Sequence, residues 1–139
     1  MNICTTKEQS QRLLELGFKK ESADMCFFRS TDEDVENPYT RIVVDDYILN
    51  SLKGDDNIPA WSLSTLMEML PKSIRYNDLI HYMEIQTDEE CYDIEYHIFD
   101  GEREWYLSGG YDKDIFEAII ETFEILLTKK IIKVEDLTL

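Results

Sequence analysis

The sequence has few basic residues and no long apolar run. It carries 14 Lys and Arg against 30 Asp and Glu, a formal net charge of -16 on 139 residues. This imbalance disfavours direct contact with nucleic acid or an anionic membrane, because both would repel the chain. No run approaches the roughly 18 apolar residues of a membrane-spanning helix, and the N-terminal residues lack the pattern of a secretory signal. We therefore expect a cytoplasmic protein.

Cysteine and histidine are also scarce. Cys4, Cys26 and Cys91 are widely spaced and lack the C-x-x-C pattern of metal and redox sites, so we interpret them as reduced thiols. His81 and His97 fall in opposite phases of the strands predicted below, which places them on opposite faces of a sheet. A shared metal or acid/base site is therefore not expected. The sequence predicts no metal and no cofactor.

Motifs for catalysis and for anion or calcium binding are missing as well. The sequence has no G-x-S-x-G nucleophile elbow. Gly109-Gly110 precedes a predicted helix, but Asp112 and Asp114 bring negative charge to its start, so we interpret the glycines as a flexible turn rather than an anion site. The acidic segment 32–37 lacks the glycine and terminal glutamate of a calcium loop and is interpreted as a solvated hairpin tip. No catalytic residue is predicted.

Apolar residues, in contrast, are plentiful. Hydrophobic residues make up 43% of the chain and aromatic residues 12%, which is enough to form a core despite the charge. A chain of this length fits one folding unit. We expect residues 1–139 to form a single domain.

Two helices are predicted from their end signals. The first begins with a capping box in which Thr5 and Glu8 each bond a free backbone amide, and it ends at Gly17. The second follows Ser62 as N-cap and ends before Pro71, because the residue before a proline is disfavoured in a helix.

A third helix is predicted near the C-terminal end. We expect Asp112 to be its N-cap, Tyr111 to pack onto Phe116 as a hydrophobic staple, and the helix to run to about Lys129. The apolar periodicity of the second and third helices predicts that six residues in and next to them are buried against a sheet. These residues are Trp61, Leu66, Leu70, Phe116, Ile120 and Phe123.

Strands are predicted between and before these helices. Residues 79–86, 91–99 and 103–107 are rich in β-branched and aromatic residues and are separated by short polar breaks, which is typical of an antiparallel meander. Residues 25–29 and 39–44 predict a further hairpin. The expected fold class is α+β: an antiparallel sheet of about four or five strands with three helices, in the order α-β-β-α-β-β-β-α.

A resemblance accompanies this pattern. The residues that carry it are Thr5-Thr6-Lys7-Glu8-Gln9-Ser10, Ala23-Asp24-Met25 and Ile58-Pro59-Ala60-Trp61-Ser62-Leu63-Ser64. With the meander and terminal helix that follow, the chain resembles an uncharacterised family of small acidic proteins from gut bacteria and their phages or mobile elements. The resemblance implies at most an intracellular, phage-related setting. It assigns no catalytic residue, because the residues that carry it lie at helix starts and in the expected core.

The remaining signal is a patterned acidic surface. Between residues 79 and 124 only Arg103 and Lys113 offset the acids. Alternation along 91–99 separates an apolar face from a polar face that includes His97. The polar residues that share this sheet face or one side of the third helix are Tyr82, Glu84, Asp93, Glu95, Glu104, Tyr106, Asp114, Glu117, Glu121 and Glu124.

These residues support several functional hypotheses. The one we favour is a noncatalytic, acidic protein-binding module, with the tyrosines adding contact area against a basic protein surface. One version is an inhibitor or accessory protein of a phage or mobile element that imitates phosphate charge. The alternative is a small enzyme or ligand-binding protein with a pocket near Trp61 or Trp105, and a third hypothesis is a homodimer in which Trp105 or Tyr106 pairs across a symmetry axis. A set of solvated faces with no partner is the simplest interpretation.

Overall fold

The computed structural model describes residues 2–28, 41–43, 57–100 and 103–137. The chain divides into two compact units, Met1–Leu66 and Met67–Leu139.

The first unit combines one helix with a small antiparallel sheet. Helix α1 spans Lys7–Glu15, and the strands are β1 (Met25–Phe28), β2 (Arg41–Val43) and β3 (Ile58–Ala60). The strand order is β2-β1-β3, with β1 antiparallel to both neighbours. The pairing of β1 with β2 confirms the predicted hairpin, whose acidic tip at 32–37 lies outside the described residues.

Helix α1 begins one residue later than predicted. Thr6 is the N-cap, and it forms the capping box with Gln9 instead of Thr5 with Glu8. The reason is tertiary, because the buried Thr5 hydroxyl lies 2.8 Å from the Ser10 hydroxyl and accepts a hydrogen bond from the Trp61 backbone amide.

The end of α1 agrees with the prediction. Gly17 has a φ of 103°, and the Phe18 amide donates to the Leu13 carbonyl, which is the bond pattern of a Schellman ending. The αL conformation favours glycine at this position.

Helix α2 (Leu63–Met69) follows the first unit's last strand. Ser62 is confirmed as its cap, because its hydroxyl accepts a hydrogen bond from the Thr65 amide and donates one to Asp24 at 2.5 Å. Asp24 also accepts a bond from the Ser62 amide at 2.8 Å. The segments around Asp24 and Ser62 thus meet at a hydrogen-bonded helix start.

The second unit is a four-stranded antiparallel meander with one long helix. Its strands are β4 (Ser73–Tyr76), β5 (Leu79–Thr87), β6 (Tyr92–Asp100) and β7 (Arg103–Asp112), hydrogen-bonded in that order, and helix α3 spans Ile115–Thr128. The class α+β is confirmed, and the predicted order of elements is retained with two short strands, β3 and β4, added.

Helix α3 covers one face of this sheet. Leu126 packs with Tyr96 of β6 and Ile74 of β4 in one buried cluster. The six predicted core residues are confirmed as buried, since none exceeds 1% exposure.

The start of α3 corrects the prediction. Asp114, not Asp112, is the N-cap and accepts from the Phe116 amide, while the Asp112 carboxylate accepts from the Asp114 amide. The predicted staple is wrong as well, because Tyr111 is 54% exposed whereas Phe116 is buried.

Strand β7 contains the glycine pair that was interpreted as a flexible turn. Gly109 and Gly110 lie opposite Ile94 at a β-bulge, where the partners of Asp93 and Glu95 are three residues apart on β7. A Cβ on Gly110 would lie only 1.9 Å from the Ala118 carbonyl oxygen of α3. The glycines therefore let the helix and strand backbones approach closely.

A buried hydroxyl completes this contact between β7 and α3. Thr122 accepts a hydrogen bond from the Gly110 amide at 2.8 Å and donates one to the Ala118 carbonyl at 2.8 Å. The bulged strand thus has its free amide satisfied by the helix that packs on it.

Candidate functional site

The sheet face opposite α3 is the candidate site. Alternation along the three longest strands brings nine polar or aromatic side chains to this face, which we call the open face. The open face consists of Tyr82, Glu84, Gln86, Asp93, Glu95, His97, Tyr106, Ser108 and Tyr111.

The centre of the open face is an aromatic row across three strands. His97 of β6 pairs with Tyr82 of β5 on one side and with Tyr106 of β7 on the other. The two tyrosines are 63% and 61% exposed, whereas His97 is only 7% exposed. The His97 and Tyr106 rings stack at 5.8 Å between centroids with an interplanar angle of 28°. Two exposed phenol rings therefore flank a buried imidazole.

A carboxylate row lies beside the aromatic row. Glu84 pairs with Glu95 across β5 and β6. Nε2 of His97 lies 2.5 Å from Oε2 of Glu95 and 3.4 Å from Oε2 of Glu84. The Glu95 side chain is 16% exposed and that of Glu84 is 50% exposed. Glu84 is therefore the more accessible acceptor of the pair.

Asp93 extends the negative charge toward the next row. Its burial and the neighbouring Glu95 carboxylate raise the pKa of Asp93 above its usual value. The Glu95 carboxylate thus disfavours the ionised form of Asp93, and a cation placed between the two side chains would relieve that repulsion.

Tyr111 joins the open face because of the bulge. The extra residue in β7 moves Tyr111 opposite Asp93, and its hydroxyl donates to Asp88 at 2.5 Å. This hydrogen bond, with those from the Glu90 and Cys91 amides, lowers the pKa of Asp88. The bond to Asp88 is also the largest cause of the raised pKa of Tyr111. Strict alternation along β7 would have placed Tyr111 on the helix side. The paired glycines were the sequence signal of the bulge.

Positive charge reaches the edge of this face. Arg75 of β4 pairs with Ile80 of β5, one row beyond Tyr82, and both side chains are exposed. The sequence prediction omitted β4 and therefore Arg75. The acidic character of the face is concentrated on β5 and β6.

The predicted partner-binding residues do not form one continuous surface. Five of them, Tyr82, Glu84, Asp93, Glu95 and Tyr106, lie on the open face. Glu104 pairs with Phe99 at the end of β7, and its side chain lies outside the described part.

The other four residues belong to α3, which packs on the opposite face of the sheet. Asp114 caps the helix, and Glu121 accepts a hydrogen bond from the Tyr111 amide at 3.1 Å. Glu117 and Glu124 lie on the same helix and are partly exposed. The structure thus separates a sheet set from a helix set, which sequence periodicity within each element could not reveal.

The two histidines lie on opposite faces, as predicted. His81 is buried on the helix side, its Nδ1 lies 3.1 Å from the Leu79 carbonyl oxygen, and its ring meets that of Tyr76 edge-on. Within the described residues, no group of three or more His, Cys, Asp or Glu side chains is arranged to hold a metal ion.

Trp61, one of the two tryptophans near which a ligand pocket was expected as the alternative, lies in a filled core of the first unit. Trp61 has no exposed surface, its indole N–H donates to the Ser22 hydroxyl at 3.1 Å, and it packs edge-on against Phe18. The Trp105 side chain lies outside the described part of the chain.

Each unit carries an open groove. One, of about 500 Å³, is lined by residues 2–8 and Phe27 in the first unit. Burial and the Asp24 carboxylate raise the pKa of Cys4 in this groove to about 11, so its thiol stays neutral and is a poor nucleophile. The other, of about 360 Å³, lies in the second unit between residues 68–75 and the segment around Ile131 and Leu137.

Comparison of the chain with protein-family models, curated proteins and solved structures found no match. None of the helices in the described ranges has the length and apolar character needed to cross a bilayer.

Proposed function

We propose that this protein is a noncatalytic, acidic, cytoplasmic module that binds a basic protein partner through the open face. The observation that carries this proposal is the exposure of Tyr82 and Tyr106 beside a row of carboxylates. Aromatic residues are common in strands because they pack against their neighbours, but a ring that is more than half exposed gains little from such packing. Large exposed aromatic rings next to charge are instead typical of protein contact surfaces.

Charge complementarity determines the kind of partner. Residues 79–124 contain 14 acidic and two basic residues, Arg103 and Lys113, a difference of 12 charges. Such a field accelerates encounter with a cationic surface and repels nucleic acid. Carboxylates two residues apart on a strand are separated by roughly 7 Å, so the strand presents negative charges in a regular row, as a phosphate backbone does. One version of the proposal is therefore an accessory or inhibitor protein of a phage or mobile element that occupies a partner's nucleic-acid-binding groove.

Two matched variants test the proposal. The first removes two negative charges from the open face, with Glu84→Gln and Asp93→Asn. The second removes two from α3, with Glu117→Gln and Glu124→Gln. Each variant and the unmodified protein is immobilised and used to capture proteins from a lysate of the cells that encode the chain, and association rates are then measured with the captured protein.

The expected result is a basic protein retained by the unmodified chain and by the helix variant. The sheet variant should reduce the association rate at least several-fold, and added salt should reduce it further, since exposed charges are screened beyond roughly 8 to 10 Å. Equal loss in the two variants would overturn the role of the open face. Capture that is insensitive to both variants and to salt would overturn the electrostatic mechanism.

A further inference from the structure

The middle of the open face is aromatic, not acidic. Adjacent strands lie roughly 4.8 Å apart, so the backbones at Tyr82 and Tyr106 are about 9.6 Å apart, with β6 between them. His97, almost fully buried, lies between the two exposed tyrosines, and its ring stacks on that of Tyr106. The Tyr82 ring and the part of the Tyr106 ring that faces away from His97 are therefore the exposed aromatic surfaces, and the carboxylates Glu84 and Glu95 lie in the next pair of residues on the same face.

The carboxylate that can accept a hydrogen bond from a cation beside the aromatic row is Glu84. Glu95 is mostly covered and directed at the His97 ring, with 2.5 Å between Oε2 and Nε2. Glu84 lies two residues after Tyr82 on β5, so both side chains are on the same face, and half of the Glu84 side chain is exposed. A cationic side chain stacked on an exposed tyrosine ring of this row can reach the Glu84 carboxylate.

An exposed aromatic ring beside an accessible carboxylate discriminates between arginine and lysine. A guanidinium group is planar and weakly hydrated, stacks on aromatic rings and donates two parallel hydrogen bonds to one carboxylate. An ammonium group is a strongly hydrated point charge and gains less from stacking. A purely acidic surface would treat the two almost alike.

We propose that the open face anchors an arginine side chain of the basic partner, stacked against Tyr82 or Tyr106 and paired with Glu84. This inference rests on the proposed function and specifies the chemistry of its contact. The anchor is then the energetic centre of the interface, in keeping with the frequency of tyrosine and arginine among residues that dominate binding.

The test uses two synthetic peptides that are identical except that every cationic residue is arginine in one and lysine in the other. Dissociation constants are measured by titration calorimetry against the full chain. We expect the arginine peptide to bind about fivefold more tightly, the ratio that corresponds to a cation–π contribution near 1 kcal/mol.

Variants of the full chain locate the preference. Replacing both tyrosines, Tyr82→Leu with Tyr106→Leu, should bring the two peptides to within about twofold of each other. The conservative pair Tyr82→Phe with Tyr106→Phe keeps the rings and should keep the preference. The helix variant Glu117→Gln with Glu124→Gln should weaken both peptides alike and leave their ratio unchanged. Circular dichroism checks that each variant is folded.

The possible outcomes are distinguishable. Equal, salt-sensitive binding of both peptides to the unmodified chain would overturn the arginine anchor and leave the proposed function standing. Absence of binding by either peptide would overturn both. A preference for arginine that persists after both leucine substitutions would overturn this location.

Discussion

Replacing Gly110 with alanine tests how α3 packs on β7. The added methyl would lie 1.9 Å from the Ala118 carbonyl oxygen and 2.7 Å from its carbonyl carbon. Both atoms belong to helix backbone, so no side-chain rotation can relieve the overlap. To restore a separation of even about 3 Å, the helix and strand must move apart by roughly 1 Å, which a close-packed interior resists.

The cost has two parts. Overpacking of a well-packed interior costs about 1 to 3 kcal/mol. A shift of this size also lengthens the hydrogen bond from the Gly110 amide to the Thr122 hydroxyl, now 2.8 Å, and a buried donor left unsatisfied costs about 1 to 3 kcal/mol. The sum is about 2 to 6 kcal/mol, a large fraction of the typical 5 to 15 kcal/mol stability of a small protein.

Urea unfolding followed by circular dichroism measures this loss. Thr122→Val isolates the hydrogen-bond part, because it keeps the shape of the side chain but removes its hydroxyl, and should cost about 1 to 3 kcal/mol. Ser108→Ala, on the same strand but exposed, is the matched control and should change stability by less than about 0.5 kcal/mol. A Gly110→Ala protein within about 0.5 kcal/mol of the unmodified chain would refute the close approach of strand and helix.

Two further predictions concern α3. Lys130 has a φ of 59° at the position after the helix cap, so Lys130→Gly should raise the free energy of unfolding by about 1 kcal/mol. Lys129→Gly, at a φ of -79°, should lower the free energy of unfolding. Urea titration compares the two variants, and a loss of stability at both positions would contradict the argument. Phe123 has no exposed surface, and Phe123→Ala should cost about 3 to 5 kcal/mol in the same assay; a cost below about 1 kcal/mol would show that its site is not a packed core.

The sequence was most informative where one element determines its own pattern. The alternation along β6 correctly separated Ile94 and Tyr96 from Glu95 and His97, because the period of a strand is fixed by its backbone. The glycine ending of α1 was predictable for the same reason, since the requirement for a positive φ is local.

Errors arose where a distant segment decides between local alternatives. Thr5 and Thr6 are both acceptable caps, and the amide of Trp61, far along the chain, engages Thr5. Asp112 and Asp114 offer a similar choice. Within the candidate site, Glu84, Asp93 and Glu95 share one face of the sheet, as alternation predicted. Only the packing of α3 on the Tyr96 side separates them from the carboxylates of the helix.

The bulge at Gly109 and Gly110 makes the length of β7 as consequential as its composition. Removing one glycine would restore simple alternation and turn the following residues over, so that Tyr111 would point to the helix side and lose its reach to Asp88. The cap at Asp114 lies only three residues after Tyr111, and the start of α3 would turn with it. A one-residue deletion here would therefore alter both sides of the sheet at once, whereas one in an exposed turn shortens only that turn. We expect natural variation in chain length to avoid this strand and to accumulate in turns.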